Sequence, residues 1–172
     1  MKIMFTGTQG TGKTSLINEL DTNLYKYTNG IRSLVKKYKL EHSENSNEKT
    51  QTKIFNNYKK YVKEHDDFIS DRSLIDVFAH TAHLYKHFKV SEEYLLQQEK
   101  LFKKFLKENP DIIYCYFPIE FKVEDDGMRS IDEEYRQEID EIIKMILDKY
   151  SIDYIEISGS IDDRKNILYT LI

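Results

Sequence analysis

This chain of 172 residues has a single cysteine and few arginines. The lone Cys115 excludes an intrachain disulfide. It sits in the apolar run 112–117 and reads as a buried strand residue, which implies a reducing, cytoplasmic setting. No apolar run is long enough to span a membrane, and no signal-like segment leads the chain, so no membrane partner is expected. A basic excess is missing too. The net charge of -4 excludes bulk nucleic-acid binding, which needs a basic surface, and points to a small-molecule partner. Internal repeats and low-complexity linkers are absent. The length fits one domain over 1–172, large enough for a sheet covered by helices on both faces. The guanine-reading pattern Asn-Lys-x-Asp does not occur, which excludes a regulatory GTPase.

Of 26 basic residues only Arg32, Arg72, Arg129, Arg136 and Arg164 are arginine. Lysine decorates the solvated faces. Arginine is expected where the planar bidentate fork is required, as it is for phosphate groups. Codon bias toward A and T produces the same scarcity, so the count singles out five positions without assigning them.

What the chain does contain is Gly7-Thr8-Gln9-Gly10-Thr11-Gly12-Lys13-Thr14. This is the phosphate-binding pattern G-x-x-x-x-G-K-[ST], preceded by the apolar run 3–5 and followed by a helical start at 14–20. Glycines let the backbone curl so that successive N–H groups face an anion, and the helix N-terminus adds partial positive charge. The pattern implies ATP and Mg²⁺ as cofactors. Lys13 is expected on the β- and γ-phosphates and the Thr14 hydroxyl on Mg²⁺. The candidate nucleotide-contacting set is Gly7, Gly10, Thr11, Gly12, Lys13, Thr14 and Ser15.

Helical and strand patterns alternate along the rest of the chain. Strands are expected at 24–28, 68–71, 112–117 and 152–157, and helices at 31–38, 47–64, 74–88, from Ser91 to before Pro110, to about 150 and at 161–171. Ser130-Ile131-Asp132-Glu133 reads as a capping box opening the helix that ends near 150. The polar stretch 40–46 reads as a loop. Strand–helix alternation implies an α/β fold with a parallel sheet and covered faces.

Two further constellations bear on chemistry. Ser70-Asp71-Arg72-Ser73 falls at the C-terminal end of a strand, the sheet edge where ligands bind. Asp71 there is a candidate for the Mg²⁺ shell or for a catalytic base, and Arg72 for a phosphoryl oxygen; the alternative is a helix cap with a surface ion pair. The acidic, Gly-containing stretch 124–130 leads to a helix bearing Arg136 and reads as a lid over about 120–136. Arg129 and Arg136 are candidates to neutralise charge as a phosphoryl group transfers. The alternative for Arg136 is helix-surface pairing with Asp132 and Asp140. Gln51 and Phe55, one turn apart, are candidates to contact and stack on a base, or else a polar surface residue and a core residue. Asp76, His80, His83 and His87 share one helix face and could in principle hold a metal, though a polar stripe opposite Leu74, Val77 and Leu84 explains the same spacing.

The phosphate loop, the run Asp71-Arg72-Ser73-Leu74-Ile75-Asp76 and the run Asp126-Gly127-Met128-Arg129-Ser130 with Arg136 together resemble the small P-loop nucleoside and nucleotide kinases. The resemblance is closest to the AAA-type ATPase/kinase group that includes a nicotinamide riboside kinase domain. The Asp-Arg-Ser segment is also similar to deoxynucleoside kinases and to the Asp-Arg-aromatic motif of thymidylate kinase. It covers nearly the whole chain and implies a three-layer P-loop kinase fold with a five-stranded parallel sheet in the order 2-3-1-4-5. It supplies no metal ligands on the histidine helix, and a homodimer stays open. Nucleoside kinases commonly carry a carboxylate after the second strand as base; here that stretch is Thr28-Asn29-Gly30-Ile31-Arg32. A phosphate nucleophile needs cations rather than a base, so Arg32 and Arg72 favour a nucleoside monophosphate acceptor. A nucleoside kinase and a non-catalytic nucleotide-binding protein are the alternatives.

Overall fold

The computed structural model describes residues 1–122 and 132–172. Five strands, β1 (Lys2–Thr6), β2 (Tyr25–Tyr27), β3 (Phe68–Ser70), β4 (Ile112–Tyr116) and β5 (Tyr154–Glu156), form one sheet in the order β2-β3-β1-β4-β5. Every pairing is parallel. Among the described residues the connections carry seven α-helices: α1 (Lys13–Glu19), α2 (Gly30–Tyr38), α3 (Glu48–Glu64), α4 (Leu74–Lys86), α5 (Glu92–Glu108), α6 (Glu133–Lys149) and α7 (Ile161–Tyr169). A short 3-10 turn, Ser43–Asn45, sits within the polar stretch before α3.

The period-2 alternation of the strands sorts the core into two layers. Met4, Phe68, Ile112, Tyr114 and Tyr116 face one side and pack with side chains of α3, α4, α5 and α6. Ile3, Phe5, Ile69, Cys115 and Phe117 face the other and pack with Leu16, Ile17 and Leu20 near α1 and Leu168 of α7. Parallel strands joined by crossover helices require this covering on both faces. Cys115 is fully buried, as its apolar run implies, and burial pushes its thiol up to about 12, which removes it from thiolate chemistry.

Helix starts follow local chemistry. Ser73 accepts from the backbone N–H groups of Ile75 and Asp76 while Asp76 accepts from the Ser73 N–H, a reciprocal box that begins α4 sharply after β3. Ser160 and Asp163 form the same reciprocal box at α7, while Asn47 and Ser91 cap α3 and α5 by accepting from the N–H groups of Thr50 and Tyr94. The expected box at 130–133 is corrected: α6 begins at Glu133, and Asp132 is its cap, accepting from the N–H groups of Glu134 and Tyr135. Ser130 and Ile131 lie outside the described residues. The β2 strand is three residues rather than five, because Leu24 and Thr28 flank an edge paired on one side only.

Candidate active site

The loop after β1 turns back on itself at glycines that cannot be replaced. A Cβ on Gly7 would lie 2.6 Å from the Phe117 carbonyl oxygen, and the residue has φ 136. Gly12, the residue before α1, has φ 84, and a Cβ there would meet an Arg164 guanidinium nitrogen at 2.9 Å. Lys13 curls into the loop. Its Nζ donates to the carbonyls of Gly7 (2.8 Å) and Thr8 (2.5 Å) and to Thr11 Oγ1 (2.8 Å). Burial, reinforced by the nearby Arg72 guanidinium, pulls its pKa well below the usual lysine value. A cation held in a dry loop by neutral oxygens is under-compensated, and an incoming phosphate supplies the missing negative charge.

Parallel pairing of β1 with β3 brings the end of β3 beside this loop. Asp71 is buried, and its Oδ2 accepts from Thr14 Oγ1 at 2.7 Å and from the Asn29 N–H at 3.3 Å. Two hard oxygen donors on adjacent elements thus converge, the donor chemistry that suits Mg²⁺. Asp76 accepts from the Gly7 N–H at 2.9 Å, so the cap of α4 also pins the loop. Arg72 Nη1 donates to the Gly7 carbonyl at 3.1 Å and lies 3.6 Å from Asp76 Oδ1.

Two more arginines hold the outside of the loop. Arg136, 1% exposed, donates from Nε to the Gln9 carbonyl (2.9 Å) and from Nη2 to the Gly10 carbonyl (3.3 Å), and pairs with Glu133. Its expected surface partners are otherwise engaged: Asp140 accepts from Tyr116 OH and pairs with Lys144. Arg164 of α7, 2% exposed, donates to the Thr11 carbonyl (2.7 Å) and the Gly159 carbonyl (3.0 Å) and pairs with Glu120. Between them Arg72, Arg136 and Arg164 donate to four backbone carbonyls of the loop, those of Gly7, Gln9, Gly10 and Thr11. Arg164 was one of the five scarce arginines, but nothing in its local sequence points to residue 11.

A cleft runs from the loop past Arg72 and Arg32 to α3. Lys13, Thr14, Ser15, Arg32, Gln51, Asp71 and Arg72 all line it, as do Thr50, Ile54 and His80, of which only His80 stands out in the sequence, and there as part of a possible metal face rather than of a nucleotide site. Asp71 is its only carboxylate among the described residues. Gln51 is held by a bond from Nε2 to Ser46 Oγ (2.8 Å), while its Oε1 and Thr50 Oγ1 are buried without a hydrogen-bond partner. Phe55 is a correction. It is 2% exposed in the core layer and does not line the cleft, because the sector of α3 facing the cleft is the one bearing Thr50, Gln51 and Ile54. His80 bonds Tyr135 OH at 2.9 Å, and burial pulls its imidazole down to about 3, so it is neutral. Arg129 and the acidic residues of the expected lid lie outside the described residues.

A parallel sheet in this order, with a phosphate loop after its central strand and an Asp-Arg-Ser turn beside it, defines a P-loop nucleotide-binding protein with kinase architecture. The particular family follows from the sequence itself. The chain belongs to the AAA domain family, whose profile matches residues 2–164. No match was found among curated proteins. Among solved structures, deoxyadenosine kinase from M. mycoides with dCMP and a flexible dCDP bound is similar at 17% identity and a TM-score of 0.69, covering 99% of this chain and 97% of that one. The same enzyme with dATP gives 16% and 0.70, over 99% and 98%. The NadR protein in complex with NR gives 15% and 0.69, over 92% of this chain but 43% of that one. At these identities the likeness is one of fold.

Proposed function

We propose that the protein is an ATP-dependent phosphotransferase whose acceptor is a nucleoside monophosphate. The observation that carries this is the make-up of the cleft: one carboxylate, already bonded to Thr14, facing Lys13, Arg32 and Arg72. With Asp71 committed beside Thr14, a hydroxyl acceptor would lack a separate base, whereas a phosphate acceptor is already ionised and needs cations. Similarity to deoxyadenosine kinase and NadR folds supports the kinase class. Thr14 and Asp71 would hold Mg²⁺, which would supply charge neutralisation on the transferring phosphates. Lys13 and the loop N–H groups would hold the donor phosphates. An acceptor phosphate oxygen would bond to the γ-phosphorus as the bond to the β-bridging oxygen breaks, releasing ADP. The free oxygens of Gln51 and Thr50 would accept from a base or sugar, and Arg129 would neutralise charge from the lid, whereas Arg136, buried against the outer carbonyls of the loop, would hold the loop in shape rather than reach the phosphates.

A second reading, a nucleoside acceptor with Asp71 as base, is favoured by the fold neighbours. Both are tested by screening nucleosides and their monophosphates with ATP and reading ADP release. Lys13→Ala should abolish turnover on any acceptor. Arg32→Ala should raise the KM for the monophosphate by roughly one to two decades, the loss expected for a charge-assisted bond. Equal rates of that variant and the parent on both acceptor types would sink the monophosphate reading.

A further inference from the structure

The helix face bearing Asp76, His80, His83 and His87 does not act as one stripe. Asp76 is consumed by Ser73 and Gly7, and His80 by Tyr135. The remaining two histidines, His83 in the last turn of α4 and His87 at its C-terminal cap, meet a residue no periodicity could supply: Glu138 of α6. We propose that His83, His87 and Glu138 form a binding site for a transition-metal dication of the zinc class.

The donor atoms His83 Nδ1, His87 Nε2 and a Glu138 carboxylate oxygen lie within 4.8 Å of one another. Glu138 Oε2 is 2.9 Å from His83 Nδ1 and 2.8 Å from His87 Nε2. The His83 contact, though close, is off the axis of a hydrogen bond, so that buried nitrogen has no aligned partner. Ligand atoms around a tetrahedral zinc stand about 3.3 Å apart, given metal–ligand distances near 2.0–2.1 Å, so the two contacts of Glu138 need lengthen by only about half an ångström to admit an ion. Two imidazoles at i, i+4 with one carboxylate is a ligand set that zinc accepts, and hard cations such as Mg²⁺ do not favour imidazole. His83 is 4% exposed, and its ring packs edge-on against Tyr135 at 4.8 Å, which fixes the direction of its nitrogen. His87 is half-exposed, leaving a side open for entry and for a fourth ligand from solvent.

A competing cation is present. Lys86 Nζ lies 2.5 Å from Glu138 Oε1, but its side chain is 66% exposed and free to swing outward. A metal here would tie α4, which carries Asp76 against the loop, to α6, which carries Arg136 against the same loop. The site is separate from the Thr14–Asp71 pair and does not depend on the phosphotransferase reading.

The test is a Co²⁺ titration of chelator-stripped full-length protein without nucleotide, followed by visible absorption. One equivalent should bind with the intense bands of a four- or five-coordinate nitrogen-containing site, and should survive Asp71→Asn. His87→Ala and Glu138→Gln should each weaken binding by at least about tenfold. Lys86→Ala should tighten it, since an ammonium no longer occupies the carboxylate. His87 and Lys86 are exposed, so these variants should fold. Absence of binding, or binding that His87→Ala leaves unchanged, overturns the proposal.

Discussion

Arg164 shows how much of the phosphate loop's shape depends on a residue outside it. Its guanidinium spans the Thr11 and Gly159 carbonyls and the Glu120 carboxylate, and it stacks at 4.9 Å over the Phe121 ring. Lysine keeps the charge but cannot fork between these acceptors. Arg164→Lys should therefore leave the Thr11 carbonyl unsatisfied, a cost of about 1–3 kcal/mol. Much of that should appear in ATP binding, with a Kd raised by roughly one to two decades and the acceptor KM little changed. Fluorescence titration with ATP measures it; an unchanged Kd would show that the loop holds its shape without α7.

At the level of elements, α3 separates what periodicity can and cannot reveal. Its apolar spacing marked 47–64 as a helix, and the observed Glu48–Glu64 with Asn47 as cap agrees closely. Spacing distinguishes buried from exposed, but α3 is buried on two adjoining sectors: one against the sheet with Phe55 and Tyr58, one against the cleft with Gln51 and Ile54. Which sector meets a ligand is decided by α2 and the 3-10 turn across from it. Phe55→Ala should thus cost about 3–5 kcal/mol of stability without altering the acceptor KM. Gln51→Ala should do the reverse, raising that KM while the urea midpoint hardly moves. The loop, the Asp71–Arg72 pair and the order of strands and helices were legible, because each rests on contiguous residues or a short fixed pattern. The grip of Arg164 on Thr11, the meeting of Glu138 with two histidines and the use of Asp132 in place of Ser130 were not. The first two are contacts between distant segments, and the third turns on a helix start that backbone direction decides.

Across the whole molecule, a polar knot beside the larger core layer gives a measurable pH signature. Glu99 of α5 accepts from Tyr150 OH at 2.6 Å and from Lys149 at 3.0 Å and pairs with Lys103, and these partners, Tyr150 foremost, pull its carboxyl down to about 2. A carboxylate depressed in the folded state stabilises fully above its ordinary value of 4.5, and that contribution disappears as pH falls toward about 2. The urea midpoint of the protein should drop over this window, and Glu99→Gln should drop less steeply there while being less stable at neutral pH. Parallel acid curves for the two proteins would show that the knot is silent.

The phosphate loop is synthesised well before the residue that braces its outer face. Thr11 and its anchor Arg164 are 153 residues apart. At about 5–20 residues per second, roughly 8–30 s of translation separate the two. Through that interval the glycine turns and Lys13 already exist, but the guanidinium that braces their outer face does not. On the expectation stated for Arg164→Lys, a chain stopped short of α7 should therefore bind ATP with the same weakened affinity.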